Sequence, residues 1–432
     1  MAENHFRNDL EYAMEQDEKD PLREFRKKFY FPVEKNEKEE KIYLSGNSLG
    51  LQPKSVKHHV DQELEDWARF GVEGHVEGKN PWAYYHNRFN APLAEILGCK
   101  PAEVAVMNSL TVNLHLLMVS FYRPAKTRYK IILEAGAFSS DQYAIESQVR
   151  YHGLEPADAV LEVAPHPGEY YIREEDILSA IREAGDSLAL VMLGGVNYYT
   201  GQLFNMEKIT TATHGVGAVA GYDLAHAIGN VPLQLHNWNA DFATWCSYKY
   251  LNSGPGGVSG IYIHERHGND SAVPRFAGWW GYRADTRFQM KKGFVAEPGA
   301  AGWHLSNVPI LSMAAHMASL EIFGDAGMSA LRIKSKHLTG FMEFLLHPDN
   351  NPGFEGIYKI ITPSDPEERG AQLSFLFREH GKAVFEELQR NHVVADWRNP
   401  DVIRVAPAPL YNSYEDVFRF AEIFRKALKQ QQ

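Results

Sequence analysis

The sequence predicts an α/β protein: a large domain built on a mostly parallel sheet with helices on both faces, and a smaller α+β unit after it. Short apolar runs alternate with polar–apolar periodic segments through the middle of the chain. Those runs are continuously apolar, as strands buried on both faces are. After about Pro309 the alternation stops and long helical patterns take over. A chain of 432 residues also exceeds one ordinary core. We expect an N-terminal segment (1–70) that contributes to the small domain and to a substrate loop. The large domain spans 71–310 and the small C-terminal α+β domain 311–432.

The strands come in order. "YKIILEAG" (Tyr129 to Gly136), "LALVMLGGV" (Leu188 to Val196) and "GAVAGYDLAH" (Gly217 to His226) are short and bounded by turn residues. "DFATWCSYK" (Asp241 to Lys249) and "SGIYIHE" (Ser259 to Glu265) follow. Between them, "SSDQYAIESQVRYHG" and "REEDILSAIREAG" carry helical periodicity. Beyond Pro309, "ILSMAAHMASLEIFGDAG" and "LRIKSKHLTGFMEFLLH" predict long helices. "AQLSFLFRE" and "DVIRVAPAPL" predict strands, and "SYEDVFRFAEIFRKALKQ" an amphipathic closing helix.

Composition excludes several functions. The net charge of −11 leaves no basic excess for nucleic-acid backbones. Two cysteines, Cys99 and Cys246, build neither a disulfide framework nor a Cys-type zinc site, so no metal is expected and a reducing compartment is. The opening "MAENHFRNDLEYAMEQDEKD" lacks the apolar core of a signal peptide, and no apolar run reaches membrane-spanning length. A cytoplasmic protein without a membrane partner is the expectation. The mixed-charge run "EKNEKEEK" (Glu34 to Lys41) reads as a solvated loop.

In an open α/β sheet, ligands bind beyond the carboxyl ends of the strands. There the sequence offers Lys249 in "WCSYKYLNSGPGG". A lone lysine is ordinarily a solvated surface group. This one follows an apolar aromatic run, with Tyr248 before it and Gly254, Gly256 and Gly257 after it. A partly desolvated amine at a strand end is a usable nucleophile for a carbonyl cofactor. Pyridoxal phosphate bound as a Schiff base is the commonest reason for such a lysine. That cofactor needs an acid at its ring nitrogen. Asp223 closes a buried strand, though capping the next helix is its ordinary role. His226 lies three residues on; alone it reads as a satisfied buried histidine. A phosphate cup is available in "MNSLTVNLHLLMVSFY", where Asn108 and Ser109 are good N-cap residues. Leu110 and Thr111 would supply amides and a hydroxyl; the alternative is an ordinary capped helix. Phe138 sits just past a strand end and would stack on the ring, or serve in the core. Arg404, in an apolar run, suits a substrate carboxylate, or snorkels from an edge. "YLSGNSLGLQP" (Tyr43 to Pro53) reads as a tight loop over a ligand, or a turn.

Taken together, these segments resemble the kynureninase family. "SGNSLGLQPK", "GHVEGKNPW", "NSLTVNLHLLM", "AFSSDQYA", "YDLAHAIGN", "WCSYKYLNSGPGG", "FAGWWGYR", "HLSNVPI" and "IRVAPAPLYNS" match in order from about Tyr43 to Tyr414. The resemblance implies an aspartate-aminotransferase-like fold and a homodimer with its active site at the subunit interface. It implies hydrolysis of L-kynurenine or 3-hydroxy-L-kynurenine to an anthranilate and L-alanine, in tryptophan catabolism or NAD biosynthesis. It puts Lys249 on the Schiff-base position and makes Tyr248 the second catalytic candidate. Leu110, Thr111, Phe138, Ser139, Asp141, Asp223, His226, Tyr248, Trp279 and Asn307 fall on cofactor-contact positions. Ser48, His75, Asn307 and Arg404 fall around the substrate.

Four positions depart from the animal members. Gly194 stands for a Ser, Asn197 for a His, Tyr282 for a His and His304 for an Arg; they bear on a cofactor contact and on the aryl pocket. Asn307 resembles the animal enzymes that favour the 3-hydroxy substrate. The rival is another pyridoxal phosphate enzyme of the same fold, a cysteine desulfurase or selenocysteine lyase. A desulfurase needs a nucleophilic cysteine on a mobile loop late in the chain, and none follows Cys246. A catalytically dead, cofactor-free binding protein of this fold would be colourless.

Overall fold

The structure, a computed structural model, describes residues 6–34 and 39–431. The middle of the charged run at 34–41 lies outside them. Strand β1 (Ile42–Tyr43) stands apart from the main sheet. That sheet contains β2 (Val104–Val106), β3 (Lys130–Glu134), β4 (Val160–Val163), β5 (Leu188–Gly194), β6 (Val219–Asp223), β7 (Phe242–Cys246) and β8 (Ser259–Ile263). Their order is β2-β8-β7-β6-β5-β3-β4. All neighbours run parallel except the two pairs made by β8. The mostly parallel sheet is therefore as expected, with β8 as its one reversed strand among the described residues.

Side chains alternate along each strand between two cores, because successive residues face opposite sides. Ile132, Val191, Leu193 and Trp245 enter one cluster with helices Met206–Gly215 and Ile310–Ala326. Ile131, Leu133, Met192 and Phe242 enter the other with helices Leu110–Phe121 and Ser139–Tyr151. Burial on both faces explains why these strands read as continuous apolar runs.

A third core holds the C-terminal layer. β9 (Tyr358–Ile360), β10 (Leu373–Phe377), β12 (Asp396–Arg398) and β13 (Val402–Val405) form an antiparallel sheet in the order β12-β13-β10-β9. The remaining strand, β11 (Val393–Val394), pairs with β1. Tyr12, Ala13 and Leu44 join this core from the N-terminal segment. The closing helix Tyr414–Lys429 starts at a capping box, Ser413 with Asp416. Asp17 adds a second anchor by accepting the amides of Tyr414 and Glu415 at 2.8 and 3.0 Å. No helix among the described residues is long and apolar enough to cross a membrane.

Candidate active site

β3 ends at Glu134, β5 at Gly194, β6 at Asp223 and β7 at Cys246. These strands are mutually parallel, so their carboxyl ends share one edge of the sheet. A cavity of about 540 Å³ opens there, and all four of those residues line it. Of the sequence-predicted residues, Leu110, Thr111, Phe138, Asp141, Asp223, His226, Tyr248 and Lys249 line it too.

One wall is the start of helix Leu110–Phe121. Ser109 takes the N-cap position, as the sequence suggests, but its side chain makes no capping bond. The first-turn amides are left for an anion, with the helix dipole behind them. Thr111 Oγ1 and Ser140 Oγ, 2.8 Å apart, add two hydroxyls. Ser139 itself is exposed, and its neighbour Ser140 takes the lining position.

Lys249 reaches in from the segment after β7. Its Nζ lies 3.1 Å from His226 Nε2 and 5.7 Å from the centroid of the Phe138 ring. Burial, with the Lys249 cation beside it, holds the His226 imidazole well below its ordinary range. His226 is therefore neutral and accepts from the amine. Tyr248 is half-buried, and burial pushes its phenol up, so it stays protonated near neutral pH.

Three acids face this single amine. Asp223 is buried, and its Oδ1 accepts the Ala225 amide at 2.7 Å, capping a turn where the alternative reading expected a helix. Burial raises Asp223 and Asp141 alike, and the Asp223 charge lifts Asp141 further, while the Asp141 hydrogen bond and Lys249 draw Asp223 back down. Asp141 is thus lifted more strongly than Asp223.

Glu134 is the acid that sequence reasoning missed. Burial pushes it up to about 7, although its Oε2 accepts the Gly194 amide at 3.0 Å. A Cβ at Gly194 would lie 3.0 Å from its Oε1, so the carboxyl fills the space beside the bare glycine. An acid closing a continuously apolar strand was the available signal. Because the folded state binds this proton more tightly than an unfolded chain, with its ordinary value of about 4.3, stability is highest at low pH. It falls as pH rises from about 4 through 7. Glu134→Gln removes that dependence, so urea denaturation should show the variant gaining on wild type by up to about 3 kcal/mol between pH 4 and 8. A pH-independent difference would refute the assignment of this proton.

Tyr198 was also missed. It lines the cavity, and its ring meets that of Phe138 at 5.3 Å. The strand-end rule points to its segment, Gly194 to Thr200, without picking out this residue. Arg404 is fully buried but outside the lining. Its guanidinium is held by Asp396 and by the Tyr198 carbonyl.

Besides Ser139 and Arg404, four predicted residues are not brought to the cavity within this chain. Trp279 is 42% exposed and packs on Phe288. Asn307 is exposed. His75 Nδ1 bonds the Val72 carbonyl at 3.0 Å, and its ring meets Trp82. Ser48 belongs to the glycine-rich loop, which does approach the site. The Gly50 amide donates to the Tyr248 carbonyl at 2.8 Å, and a Cβ at Gly50 would lie 2.4 Å from the Lys249 carbonyl. Among the departing positions, Asn197 is buried and accepts the Tyr199 and Thr200 amides, both at 3.0 Å. His304 is buried between the carbonyls of Ala301 and Val106.

A kynureninase of Flavobacterium johnsoniae is 52% identical to this chain over 98% of it and 99% of the relative. The chain belongs to the kynureninase family. A kynureninase of Myxococcus xanthus is 53% identical over 96% of this chain and 97% of that one. Residues 331–424 match the family described as the kynureninase C-terminal domain. Among solved structures, a cysteine desulfurase of Escherichia coli superposes with a TM-score of 0.75 at 15% identity, covering 95% of this chain and 98% of that one. That likeness shows the fold, the aspartate-aminotransferase-like arrangement of pyridoxal phosphate enzymes. Within the kynureninase family, this member's cavity combines an uncapped helix start, an amine and a buried carboxylate. Those are a donor set suited to a phosphate, a nucleophile suited to an aldehyde and an acceptor suited to a protonated ring nitrogen.

Proposed function

We propose that the protein hydrolyses L-kynurenine or its 3-hydroxy form to an anthranilate and L-alanine, with pyridoxal phosphate held on Lys249. The near-complete likeness to kynureninases supports the reaction. The observation that carries the site is the placing of Lys249 and a buried Asp223 in one cavity. Pyridoxal phosphate, when bound, supplies a carbonyl for an amine and a ring that accepts electron density.

The chain's own residues do the rest. The first-turn amides and Thr111 hold the phosphate. Asp223 keeps a proton on the ring nitrogen. Phe138 covers the ring. His226, accepting from Nζ, aims the amine into the cavity. Lys249 Nζ would hold the Cα proton taken from the substrate and give it back to the product. Tyr248, a protonated phenol beside it, would relay the proton that water loses on adding at the γ-carbonyl to Cβ as the Cβ–Cγ bond breaks, so that water is divided between the anthranilate carboxyl and the alanine methyl. Arg404 holds the substrate carboxylate.

A homodimer belongs to the same reading. Phe276, Trp279, Phe288 and Met290 are exposed by 56, 42, 74 and 73%, a patch that a partner subunit would cover. Trp279, Asn307 and His75 would complete sites across that interface. A cytoplasmic role in tryptophan breakdown or NAD synthesis fits this chemistry. The desulfurase alternative is not favoured, since burial pushes the Cys246 thiol up, away from a reactive thiolate.

Purified protein should be yellow and should release an anthranilate from L-kynurenine, from 3-hydroxy-L-kynurenine, or from both. Comparing kcat/KM for the two fixes the preferred ring. A colourless protein that turns over neither would sink the reading.

A further inference from the structure

Beside the cavity, two arginines share one carboxylate. Asp396 of β12 stands directly across from Arg404 of β13. Its Oδ2 lies 2.9 Å from Arg404 Nη2, and its Oδ1 accepts from Arg404 Nε at 3.2 Å. Arg398 lies two residues further along β12, on the same face. Its Nε is 2.9 Å from Asp396 Oδ1, and its Nη2 donates to Oδ2 at 3.3 Å. One anion therefore serves two guanidinium forks.

The cluster is largely closed to water. The Arg404 side chain is 0% exposed, that of Asp396 12% and that of Arg398 35%. Two cations against one anion leave one positive charge in excess, which is unfavourable away from water until a second anion arrives. Arg404 Nη2 and Arg398 Nε, although close to Asp396, make no well-aligned hydrogen bond. Both guanidiniums approach the Tyr198 ring, with Cζ 6.0 Å (Arg398) and 5.8 Å (Arg404) from its centroid. That ring lines the cavity and meets Phe138, the residue beside Lys249. The surplus charge is thus two aromatic rings, Tyr198 and Phe138, away from the reacting amine.

We propose that Arg398 is a second seat for the substrate's α-carboxylate, beside Arg404, and that Asp396 is the internal anion that keeps the two forks in place. The proposal rests on the amino-acid hydrolysis proposed above. An incoming carboxylate brings the cluster to two cations and two anions. Arg404 is fixed by the Tyr198 carbonyl and by burial. Arg398, on the open side, turns from Asp396 toward the substrate.

The test uses the holoenzyme with Arg398→Gln and Arg398→Lys. For Arg398→Gln, KM for L-kynurenine should rise about tenfold or more, with kcat held within about threefold, because the lost contact serves ground and transition state alike. The visible spectrum and Tm should stay at wild-type values, which a merely structural arginine would not allow. Arg398→Lys, which keeps the charge and drops the fork, should raise KM several-fold. An unchanged KM in Arg398→Gln overturns the seat. If that variant does not fold, a wild-type KM in Arg398→Lys overturns it instead. Titration with L-alanine, followed by the cofactor spectrum, separates the two readings. Weaker L-alanine binding in the variant supports the seat even if wild type releases no anthranilate, a result that would count only against the reaction. Equal L-alanine affinities overturn the seat.

Discussion

Replacing Lys249 with alanine should abolish both the release of an anthranilate and the visible absorbance of lysine-linked cofactor. Lys249 is the only amine among the cavity-lining residues, so nothing replaces its nucleophile. Loss of proton transfer alone is worth about 10²–10⁴-fold. The phosphate seat is built separately, by the start of helix Leu110–Phe121, and the variant leaves it intact. Lys249→Ala protein should therefore still take up added pyridoxal phosphate, reversibly and with the spectrum of the free aldehyde. The His226 imidazole loses the amine it accepts from, and the neighbouring cation that depresses it, so its basicity should rise. Wild-type turnover by this variant would remove Lys249 from the chemistry. Failure to bind the cofactor at all would instead mean that the helix start is not the phosphate seat.

The sequence exposed the parts of this site that sit on regular elements. Continuous apolar runs revealed β3, β5, β6, β7 and β8, and the rule that ligands lie beyond strand ends led to Asp223 and Lys249. β2 and β9 were missed because each has only three residues. β4 was missed because it has only four residues, Glu162 among them, and is partly exposed on the sheet edge. The reversed direction of β8 is a matter of topology that its residues do not encode locally. Tyr198 and Asp396 escaped for another reason. Each acts through a partner far away in the chain: Tyr198 through Phe138 and Arg404, Asp396 through the β12–β13 register. Trp279 and Asn307 are a different case. They were placed by resemblance alone, and within one chain they lie on the surface, outside the cavity.

Asp223→Asn should cost at least about a hundredfold in kcat, and Asp141→Asn far less. Removing one preorganised electrostatic partner of a reaction centre typically costs about 10²–10³-fold. Both carboxyls are buried side by side, so a simple view of burial predicts equal effects. The charge distribution predicts otherwise. Burial raises Asp141, and the Asp223 charge lifts it further. An asparagine at 141 still donates a hydrogen bond to Asp223, and the charge facing the cofactor ring survives. An asparagine at 223 keeps the shape and can still accept the Ala225 amide, yet it carries no charge to hold a ring proton. Its loss also frees Asp141 from the neighbour that lifts it, so Asp141 should then ionise at lower pH. The Asp223→Asn enzyme should consequently recover part of its activity as pH rises through that ionisation, whereas Asp141→Asn should follow the wild-type profile. Equal losses in the two variants, measured as kcat across pH 5 to 9 at saturating cofactor, would show that the charge is shared between the two acids rather than held by Asp223.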